Sequence, residues 1–412
     1  MIAPDRSLQV CIPIGLYPPL FGGQGIQLQR TLPRLRARGV EATILTRRLP
    51  RTFGPPPSDA GRVERVLAPG PDHLSALRRA AQFRRYFASR RGAFDVLHSD
   101  MVGWEFLLNV RHLKSQGLPV ILEMALLGGD DPISTSKERF GSLKLRLLKQ
   151  VDIWLGVSGA FLPRLLAAGI PGEKFRLVYP GVDVDAYRPL TPDERRATRL
   201  RLGLPTAARI VISVGGVMRR KGTDRLLRAW EHLRPRPGHD LLLVVGPASA
   251  AEGLQDEDLR FARGIRETSA ISGLDRTVNW VGRVDNVNDY LGASDLFLFL
   301  SRQEGLGIVI LEALSCGLPC VVSPLDGIAA EIVLPERTGV IVNEPDDAGA
   351  VSACVSSLLD RPESRAAMGE MARKTVEGRF SFDTQADALA SLYRELVGRA
   401  RVPGAPRDPR LT

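Results

Sequence analysis

Two glutamates, Glu304 and Glu312, lie on either side of a short glycine-rich turn in a chain of 412 residues. The segment LSRQEGLGIVILEALSCGLPCVVS (300–323) is typical of a strand, a turn with Gly305 and Gly307, a helix and a second strand. Glycines just before a helix allow a ligand to approach the backbone closely, and the free N–H groups at the helix N-terminus attract phosphate. The segment therefore predicts a pyrophosphate site with two carboxylates beside it.

The two carboxylates are expected to contact different parts of such a ligand. Glu312 falls inside the predicted helix among apolar neighbours, where a carboxylate needs polar partners, and the paired hydroxyls of a ribose would provide them. Glu304, on the turn, would then reach a sugar. The alternative is that Gly305 and Gly307 only shape a tight turn and that Glu312 pairs with a basic residue.

The elements that must position these residues alternate between short apolar runs and segments of helical period. In the first half we predict strands at 8–14, 41–46, 93–98, 120–123, 153–157 and 175–179, with helices near 25–38, 74–90, 103–116, 137–150 and 160–168. In the second half we predict strands at 209–215, 241–246, 277–281, 295–300, 319–323 and 339–342, with helices near 223–233, 256–272, 307–316 and 346–359. Residues 51–62 are predicted to be a Pro/Gly loop, and 179–196 a turn-rich break. The pattern predicts an α/β protein with two Rossmann-like, doubly wound domains.

Domain boundaries follow from that break, because a chain of this length exceeds one ordinary core. We predict an N-terminal domain over 1–190, a C-terminal domain over 191–382, a helix at 383–400 that packs back toward the N-terminal domain, and a tail at 401–412. Ligands bind beyond the carboxyl ends of the strands in such sheets, so the two domains are expected to face one another across a cleft that holds the active site.

The charge of the chain is concentrated in its first part. Residues 1–190 hold 27 basic and 16 acidic residues, a net charge of +11, whereas residues 191–412 carry a net charge of −1. Such a basic domain suits an anionic lipid surface or an anionic acceptor, and the absence of a known reader module argues against nucleic acid. Within it, 73–95 places four apolar residues among arginine pairs, namely Leu74, Leu77, Ala81 and Phe87. This is typical of a membrane-surface helix, or of an ordinary surface helix with solvated arginines.

No apolar run is long enough to cross a bilayer, and the N-terminus lacks a secretory leader pattern. We therefore expect a cytoplasmic protein, at most peripheral at the inner face of the cell membrane. The four cysteines, Cys11, Cys316, Cys320 and Cys354, show no metal-binding spacing and are expected to be reduced and buried.

The 300–323 segment resembles glycosyltransferase family 4, whose motif is a Glu, seven residues and a second Glu, with Gly-Leu-Gly after the first and Ala after the second. The matching residues are Glu304, Gly305, Leu306, Gly307, Glu312 and Ala313. The resemblance continues in Cys316-Gly317-Leu318-Pro319 and Thr338-Gly339, and in further motifs over most of the chain.

The resemblance also covers a cationic phosphate site. Family members carry a Gly-Arg pair and a downstream Lys-Gly that hold the donor phosphates, and Lys221-Gly222 match the second pair. Gly216 stands where the arginine is expected, so Arg219 or Arg220 is expected to supply that charge. The alternative is that these two arginines only form a solvated turn.

Three weaker matches complete the resemblance. Gly282 and Arg283 correspond to a backbone segment that the family uses near the nucleobase. Gly22-Gly23 correspond to the family's acceptor-side glycine loop, which approaches the donor phosphate when the two domains close. Residues 179–183 resemble the family's interlobe Asn-Gly-Val-Asp, with Pro180 in place of Asn.

The chain departs from the family where a histidine usually reaches the donor sugar. Met124 and Ala125 stand at that position. Glu123, Asp130 or Asp131 could take over its polar role, and the sequence does not choose among them. His98 matches the first position of the family's frequent His-x-His motif, and Asp100 replaces the second histidine. A single histidine at a strand end is more often structural than catalytic.

What the resemblance implies is a GT-B fold and a retaining glycosyltransferase, with an acceptor-binding N-terminal domain over 1–190 and a nucleotide-sugar-binding C-terminal domain over 191–382. Such an enzyme would move a hexose-type sugar from a nucleoside diphosphate sugar to a hydroxyl of a sugar, lipid-linked or polysaccharide acceptor, in glycolipid, cell-surface polysaccharide or other glycoconjugate synthesis. Glu304 and Lys221 would act in catalysis, with no metal and no further cofactor. The missing histidine and Gly216 leave an alternative, a non-catalytic nucleotide-sugar-binding or regulatory subunit of the same fold.

Overall fold

The computed structural model describes residues 6–20, 22–49, 62–70, 72–254 and 256–401. The loop predicted at 51–62 lies outside the described residues except for Arg62, as does the predicted tail except for Arg401. The chain divides into two compact units. Unit 1 comprises Met1–Gly181 with Phe382–Thr412, and unit 2 comprises Val182–Ser381.

Unit 1 is built on a parallel sheet whose described part has the strand order β3-β2-β1-β4-β5-β6-β7. Its strands are β1 (Leu8–Pro13), β2 (Val40–Arg47), β3 (Arg62–Leu67), β4 (Val96–Ser99), β5 (Val120–Met124), β6 (Ile153–Gly156) and β7 (Phe175–Leu177). The helices between them are α1 (Gly23–Ala37), α2 (His73–Ala88), α3 (Trp104–Leu107), α4 (Val110–Ser115), α5 (Pro132–Lys137), α6 (Gly141–Leu148) and α7 (Phe161–Ala167). The central strands are buried along most of their length, as a sheet covered on both faces requires.

Unit 2 repeats this plan with the strand order β10-β9-β8-β11-β12-β13, again parallel in the described residues. Its strands are β8 (Arg209–Val214), β9 (Asp240–Val245), β10 (Val278–Gly282), β11 (Leu296–Phe299), β12 (Cys320–Val322) and β13 (Gly339–Ile341). Its helices are α8 (Pro192–Arg201), α9 (Thr223–His232), α10 (Asp256–Ile271), α11 (Val287–Gly292), α12 (Ile308–Ser315), α13 (Ala329–Ile332), α14 (Ala348–Leu359) and α15 (Pro362–Arg379). The predicted α/β class with a doubly wound parallel sheet in each half is confirmed.

The last helix, α16 (Phe382–Arg401), belongs to unit 1. It packs against α1 and β4, and its apolar side chains Leu389, Tyr393 and Leu396 join the core formed by β1 and β2. The first strand and the last helix of the chain therefore stabilise the same core.

Some elements differ from the prediction. Strand β3 was not predicted, because its sequence RVERVL places charged residues along an edge strand. Helix α8 lies in and after the segment taken for a turn-rich break. Its capping box, in which Thr191 and Glu194 bond each other's backbone N–H groups, is the signal that identifies this helix. Helices α11, α13 and α15 were also not predicted.

Candidate functional site

A short turn after β8 carries the predicted phosphate-binding cations. Arg219–Lys221 form a 3-10 helix, and Gly222 follows with φ = 72°. A Cβ atom on Gly222 would lie 2.0 Å from the carbonyl oxygen of Leu300, which follows β11. Only glycine fits this backbone conformation at this distance, and it allows the turn to lie directly against the segment that carries Glu304.

Lys221 and Glu304, which are 83 positions apart, are in direct contact. The Lys221 Nζ donates a hydrogen bond of 2.7 Å to the Oε1 atom of Glu304, and both side chains are largely buried. The Ser301 hydroxyl donates to the same oxygen, also at 2.7 Å. Burial lowers the pKa of Lys221 below its ordinary value, although the Glu304 carboxylate acts to raise it. The structure thus brings the two predicted catalytic residues together.

The two arginines before Lys221 lie in different environments. Arg220 places Nη1 3.5 Å from Glu304 Oε1 and donates to the Gln303 carbonyl at 2.8 Å, whereas Arg219 is exposed. Gly216, where the family arginine is expected, would bring a Cβ within 2.8 Å of the Met218 methyl group. Of the two arginines left open by the sequence, Arg220 is the one whose charge lies beside Lys221.

Arg302 holds this turn in place. It donates two hydrogen bonds of 2.7 Å to the Asp224 carboxylate at the start of α9, and one of 2.7 Å to the Arg219 carbonyl. Its backbone N–H donates to the Arg220 carbonyl at 2.8 Å. The bidentate contact fixes both segments, because a planar guanidinium matches a carboxylate in only one orientation.

The turn before α12 has the geometry expected of a phosphate-binding helix start. Gly307 is the N-cap with φ = 87°, and Gly305 and Leu306 before it are buried. Helix α12 begins at Ile308. The Ile310 N–H donates to the Gly307 carbonyl at 2.8 Å, whereas the N–H groups of Ile308 and Val309 precede the first helical hydrogen bonds. Glu312 lies in α12 and is buried with 9% exposure, as predicted for a carboxylate on an apolar helix.

At the end of β10, Gly282 and Arg283 contact a carboxylate that the sequence did not indicate. Glu252 accepts hydrogen bonds from the backbone N–H groups of Ala248 at 2.7 Å and Arg283 at 3.0 Å, and these bonds lower its pKa. Gly282 has φ = 79°, and a Cβ there would lie 2.5 Å from Glu252 Oε1. Because Glu252 is far from these glycine motifs in sequence, no local pattern could have found it.

Two family models match the chain, one on each unit. The model of the glycosyl transferase 4-like domain matches residues 22–181, and the model of glycosyl transferases group 1 matches residues 194–375. The second match contains Lys221, Glu304 and Glu312. The chain belongs to glycosyltransferase family 4.

Two relatives of this glycosyltransferase are themselves named as glycosyltransferases. It is 32% identical over 255 residues to a GDP-mannose-dependent monoacylated alpha-(1-6)-phosphatidylinositol monomannoside mannosyltransferase of Corynebacterium glutamicum, a match that covers 60% of this chain and 62% of that protein. It is 29% identical over 412 residues to D-inositol 3-phosphate glycosyltransferase 2 of Catenulispora acidiphila, covering 91% and 90%. The match thus spans less than two thirds of the Corynebacterium protein and most of the Catenulispora one.

The fold of this glycosyltransferase has solved counterparts. The crystal structure of HepE from Anabaena in complex with UDP superimposes with a TM-score of 0.76 at 17% identity, over 94% of this chain and 100% of that one. The likeness supports the GT-B fold, which the two parallel sheets also indicate.

In unit 1 of the glycosyltransferase, the predicted glycine loop precedes the first helix. Gly22 is the N-cap of α1 and Gly23 its first residue. Both glycines line a cavity of unit 1. Their predicted approach to the donor phosphate stays a prediction.

The three carboxylates proposed to replace the missing histidine have different partners. Asp131 caps α5 and forms an ion pair with Arg164 at 2.8 Å. Asp130 accepts from the backbone N–H groups of Ala125 and Leu126 at 2.9 and 3.0 Å. Glu123 lies 3.0 Å from His98 Nε2 and remains partly exposed. Asp131 is therefore fully engaged and buried, whereas Glu123 and Asp130 are both partly exposed.

His98 has the environment of a structural residue. It is 4% exposed, and its Nδ1 lies 2.7 Å from the Tyr393 hydroxyl on α16. This bond ties the end of β4 to the last helix, which agrees with the structural interpretation of a single histidine at a strand end.

The cysteines follow the sequence analysis in part, since three of the four are buried. All four cysteines are free, with Cys11, Cys316 and Cys320 buried and Cys354 partly exposed. In the described part of the chain, no group of three or more His, Cys, Asp and Glu side chains could hold a metal ion.

None of the described helices is both long enough and apolar enough to span a bilayer.

Proposed function

We propose that this enzyme transfers a hexose from a nucleoside diphosphate sugar to an acceptor hydroxyl, with retention of the anomeric configuration and without a metal ion. In this reaction the bond between the anomeric carbon and the donor phosphate breaks, and a bond from the same carbon to the acceptor oxygen forms. The nucleoside diphosphate leaves with added negative charge, and the proton of the acceptor hydroxyl passes to the leaving diphosphate and from there to solvent.

The buried contact between Lys221 and Glu304 is the observation that carries the proposal. It places a cation and a carboxylate next to the glycine turn before α12. Lys221, Arg220 and the first N–H groups of α12 would stabilise the leaving diphosphate, which is the electrostatic task that such groups perform when they are already positioned. Glu304 would contact the sugar, and Glu312 the ribose hydroxyls.

The named relatives suggest which substrates to test first. The Corynebacterium relative uses GDP-mannose and acts on a phosphatidylinositol mannoside, and the Catenulispora relative acts on D-inositol 3-phosphate. We propose an acceptor in glycolipid or cell-surface polysaccharide synthesis. GDP-mannose and the common UDP-sugars are the donors to examine.

A surface of unit 1 supports contact with an anionic membrane. On α2, Leu74 and Leu77 are 58% and 59% exposed, and the exposed face of the helix also carries Arg78, Arg84 and Arg85. The predicted position of Phe87 in this stripe is wrong, because Phe87 is buried. Exposed leucines among arginines are typical of helices that lie on anionic lipid. We propose that the enzyme is peripheral at the cytoplasmic face of the membrane, and vesicle flotation with and without anionic lipid tests this.

The enzymatic proposal is tested by release of nucleoside diphosphate from a panel of donors. Wild type is expected to be stabilised thermally by one donor and to hydrolyse it slowly without acceptor, whereas Lys221→Met and Glu304→Gln lose this release. Arg228→Gln, on the exposed face of α9, is the control and should behave as wild type. Binding without release, even with inositol phosphate or a lipid-linked sugar present, would favour the non-catalytic alternative.

A further inference from the structure

Arg302 contacts both the turn that carries Lys221 and the start of α9. Its guanidinium donates a hydrogen bond of 2.7 Å to each oxygen of the Asp224 carboxylate, and its Nη1 also donates to the Arg219 carbonyl at 2.7 Å. Its backbone N–H donates to the Arg220 carbonyl at 2.8 Å. One residue therefore holds two successive carbonyl groups of the turn immediately before Lys221.

The orientation of Arg302 is fixed by Asp224. The two side chains are only 26% and 21% exposed. Burial acts to raise the pKa of Asp224, but the hydrogen bonds and charge of Arg302 outweigh this and hold the pKa below the ordinary value. Asp224 is therefore ionised at neutral pH. Because a planar guanidinium bonds both oxygens of a carboxylate in only one orientation, Asp224 determines where the remaining donor atoms of Arg302 lie.

A second carboxylate beside Arg302 has a different relation to it. Asp346 lies 3.7 Å from Arg302 Nη2, and its side chain is 62% exposed. At this distance it forms no hydrogen bond with Arg302. Asp346 therefore adds the same charge as Asp224 beside Arg302 without fixing the direction of the guanidinium.

The charge of Asp224 is unfavourable for an anion site. It lies three positions after Lys221, and a carboxylate close to a diphosphate repels it. Paired with Arg302, it forms a unit of zero net charge, which adds little to the positive potential beside Lys221. What the pair contributes to this part of unit 2 is the position of the turn.

We propose that Arg302 and Asp224 are positioning residues of the donor site, which hold the turn where Lys221 and Arg220 meet the diphosphate. This role rests on the proposed contact of those two cations with the leaving group. Cations that are already in place stabilise developing charge without a cost of reorganisation. A displacement of reacting groups by about 1 Å can lower a rate about 10²-fold, so loss of the pair should affect a ligand that it does not touch.

The sign of one substitution separates positioning from charge. Asp224→Asn removes a negative charge, so electrostatics alone predicts tighter binding of GDP or UDP to the full chain. The positioning role predicts the opposite, an affinity lower by about tenfold, as for one lost hydrogen bond to a charged group. Arg302→Lys keeps its charge but cannot bond both oxygens, and should show a similar loss. Asp346→Asn is the matched control and should bind at least as tightly as wild type. Calorimetric titration measures all four proteins.

Two further measurements distinguish positioning from a merely structural role. The variant with both Asp224→Asn and Arg302→Lys should bind no more weakly than the weaker single variant, because the residues act as one unit. The maximal rate of donor hydrolysis without acceptor should also fall in Asp224→Asn at a temperature where circular dichroism shows the chain to be folded. A pair that only stabilises the fold would lower the melting temperature and leave both quantities unchanged.

Three results would overturn the positioning role: GDP or UDP binding by Asp224→Asn that is as tight as that of wild type or tighter, wild-type affinity of Arg302→Lys, or an equal loss in Asp346→Asn. Failure of wild type to bind either nucleotide contradicts the proposed function and this role with it. Binding by wild type with unchanged affinity in the variants contradicts the positioning role alone.

Discussion

Replacing Glu304 by Gln leaves the buried ammonium of Lys221 without its carboxylate. Loss of one partner of a buried ion pair typically reduces the free energy of unfolding by 3–5 kcal/mol. The two side chains retain 18% and 10% exposure, so we expect a loss at the lower end, about 3 kcal/mol. For a unit of this size, that corresponds to a melting temperature lower by roughly 6–12 °C.

A double-mutant cycle isolates the contact itself. Lys221→Met should be less costly than Glu304→Gln, because Glu304 keeps its contacts with Ser301 and Arg220. The double variant should then be more stable than the sum of the two losses predicts, by about 2 kcal/mol, as is usual for residues in direct contact. Urea unfolding of the four proteins, followed by the circular dichroism of the chain, measures this coupling energy.

An exposed ion pair of the same unit provides the control. Arg225 Nε donates to Asp346 at 2.8 Å, but the Asp346 side chain is 62% exposed. Asp346→Asn should therefore change the free energy of unfolding by less than about 1 kcal/mol. If the losses at Lys221 and Glu304 were additive within about 0.5 kcal/mol, or if Glu304→Gln were as stable as wild type, the idea of a buried, coupled pair would have to be abandoned.

Three further predictions concern single groups. Because the pKa of Lys221 is lowered, affinity for nucleoside diphosphate should fall with rising pH earlier than for an ordinary lysine, and Lys221→Arg, which keeps its charge, should remove this loss in a titration followed by calorimetry. Burial raises the pKa of Asp130 to about 6, so its ionisation opposes folding as the pH rises toward and above that value. Asp130→Asn should therefore increase the free energy of unfolding by up to about 3 kcal/mol at neutral pH and change it little near pH 4. Urea unfolding at the two pH values measures this difference. Gly222→Ala should destabilise unit 2 by more than about 2 kcal/mol, since its Cβ would meet the Leu300 carbonyl oxygen and its φ is positive; an unchanged melting temperature would contradict the close approach.

The predicted donor-site residues were assigned from sequence because their types and order match the family motif, and their role in donor binding stays a prediction. Lys221, Glu304 and Glu312 were assigned from local motifs, without knowledge of distance. The contact between Lys221 and Glu304 could not be assigned, because it depends on how closely the turn at Gly222 approaches the end of β11. For the same reason the sequence could not decide which of Arg219 and Arg220 supplies the missing charge. In the fold, Arg219 is exposed and Arg220 lies beside Glu304.

The parallel sheets were predictable from apolar runs separated by helical segments, because buried strands have few polar residues. Elements that depart from this pattern were missed, such as the charged edge strand β3. The environment of Asp100 could not be predicted from the sequence either. Its sequence neighbours mark a strand end, but the groups around it, the Gly15 backbone after β1 and Glu123 on β5, come from other positions of the chain.

Under the proposed function, the protein itself holds together the charged groups of the donor site in unit 2. Lys221 and Arg220 would repel one another if they were left alone, and Glu304 lies close to both, at 2.7 and 3.5 Å. The carboxylate therefore holds the cations at the position where a diphosphate would need them. An arriving diphosphate adds negative charge beside Glu304, so that binding should favour a rearrangement in which the cations turn toward phosphate and Glu304 is released toward the sugar. Under the proposed function, the contact with Lys221 neutralises the Glu304 carboxylate until a diphosphate draws the lysine away.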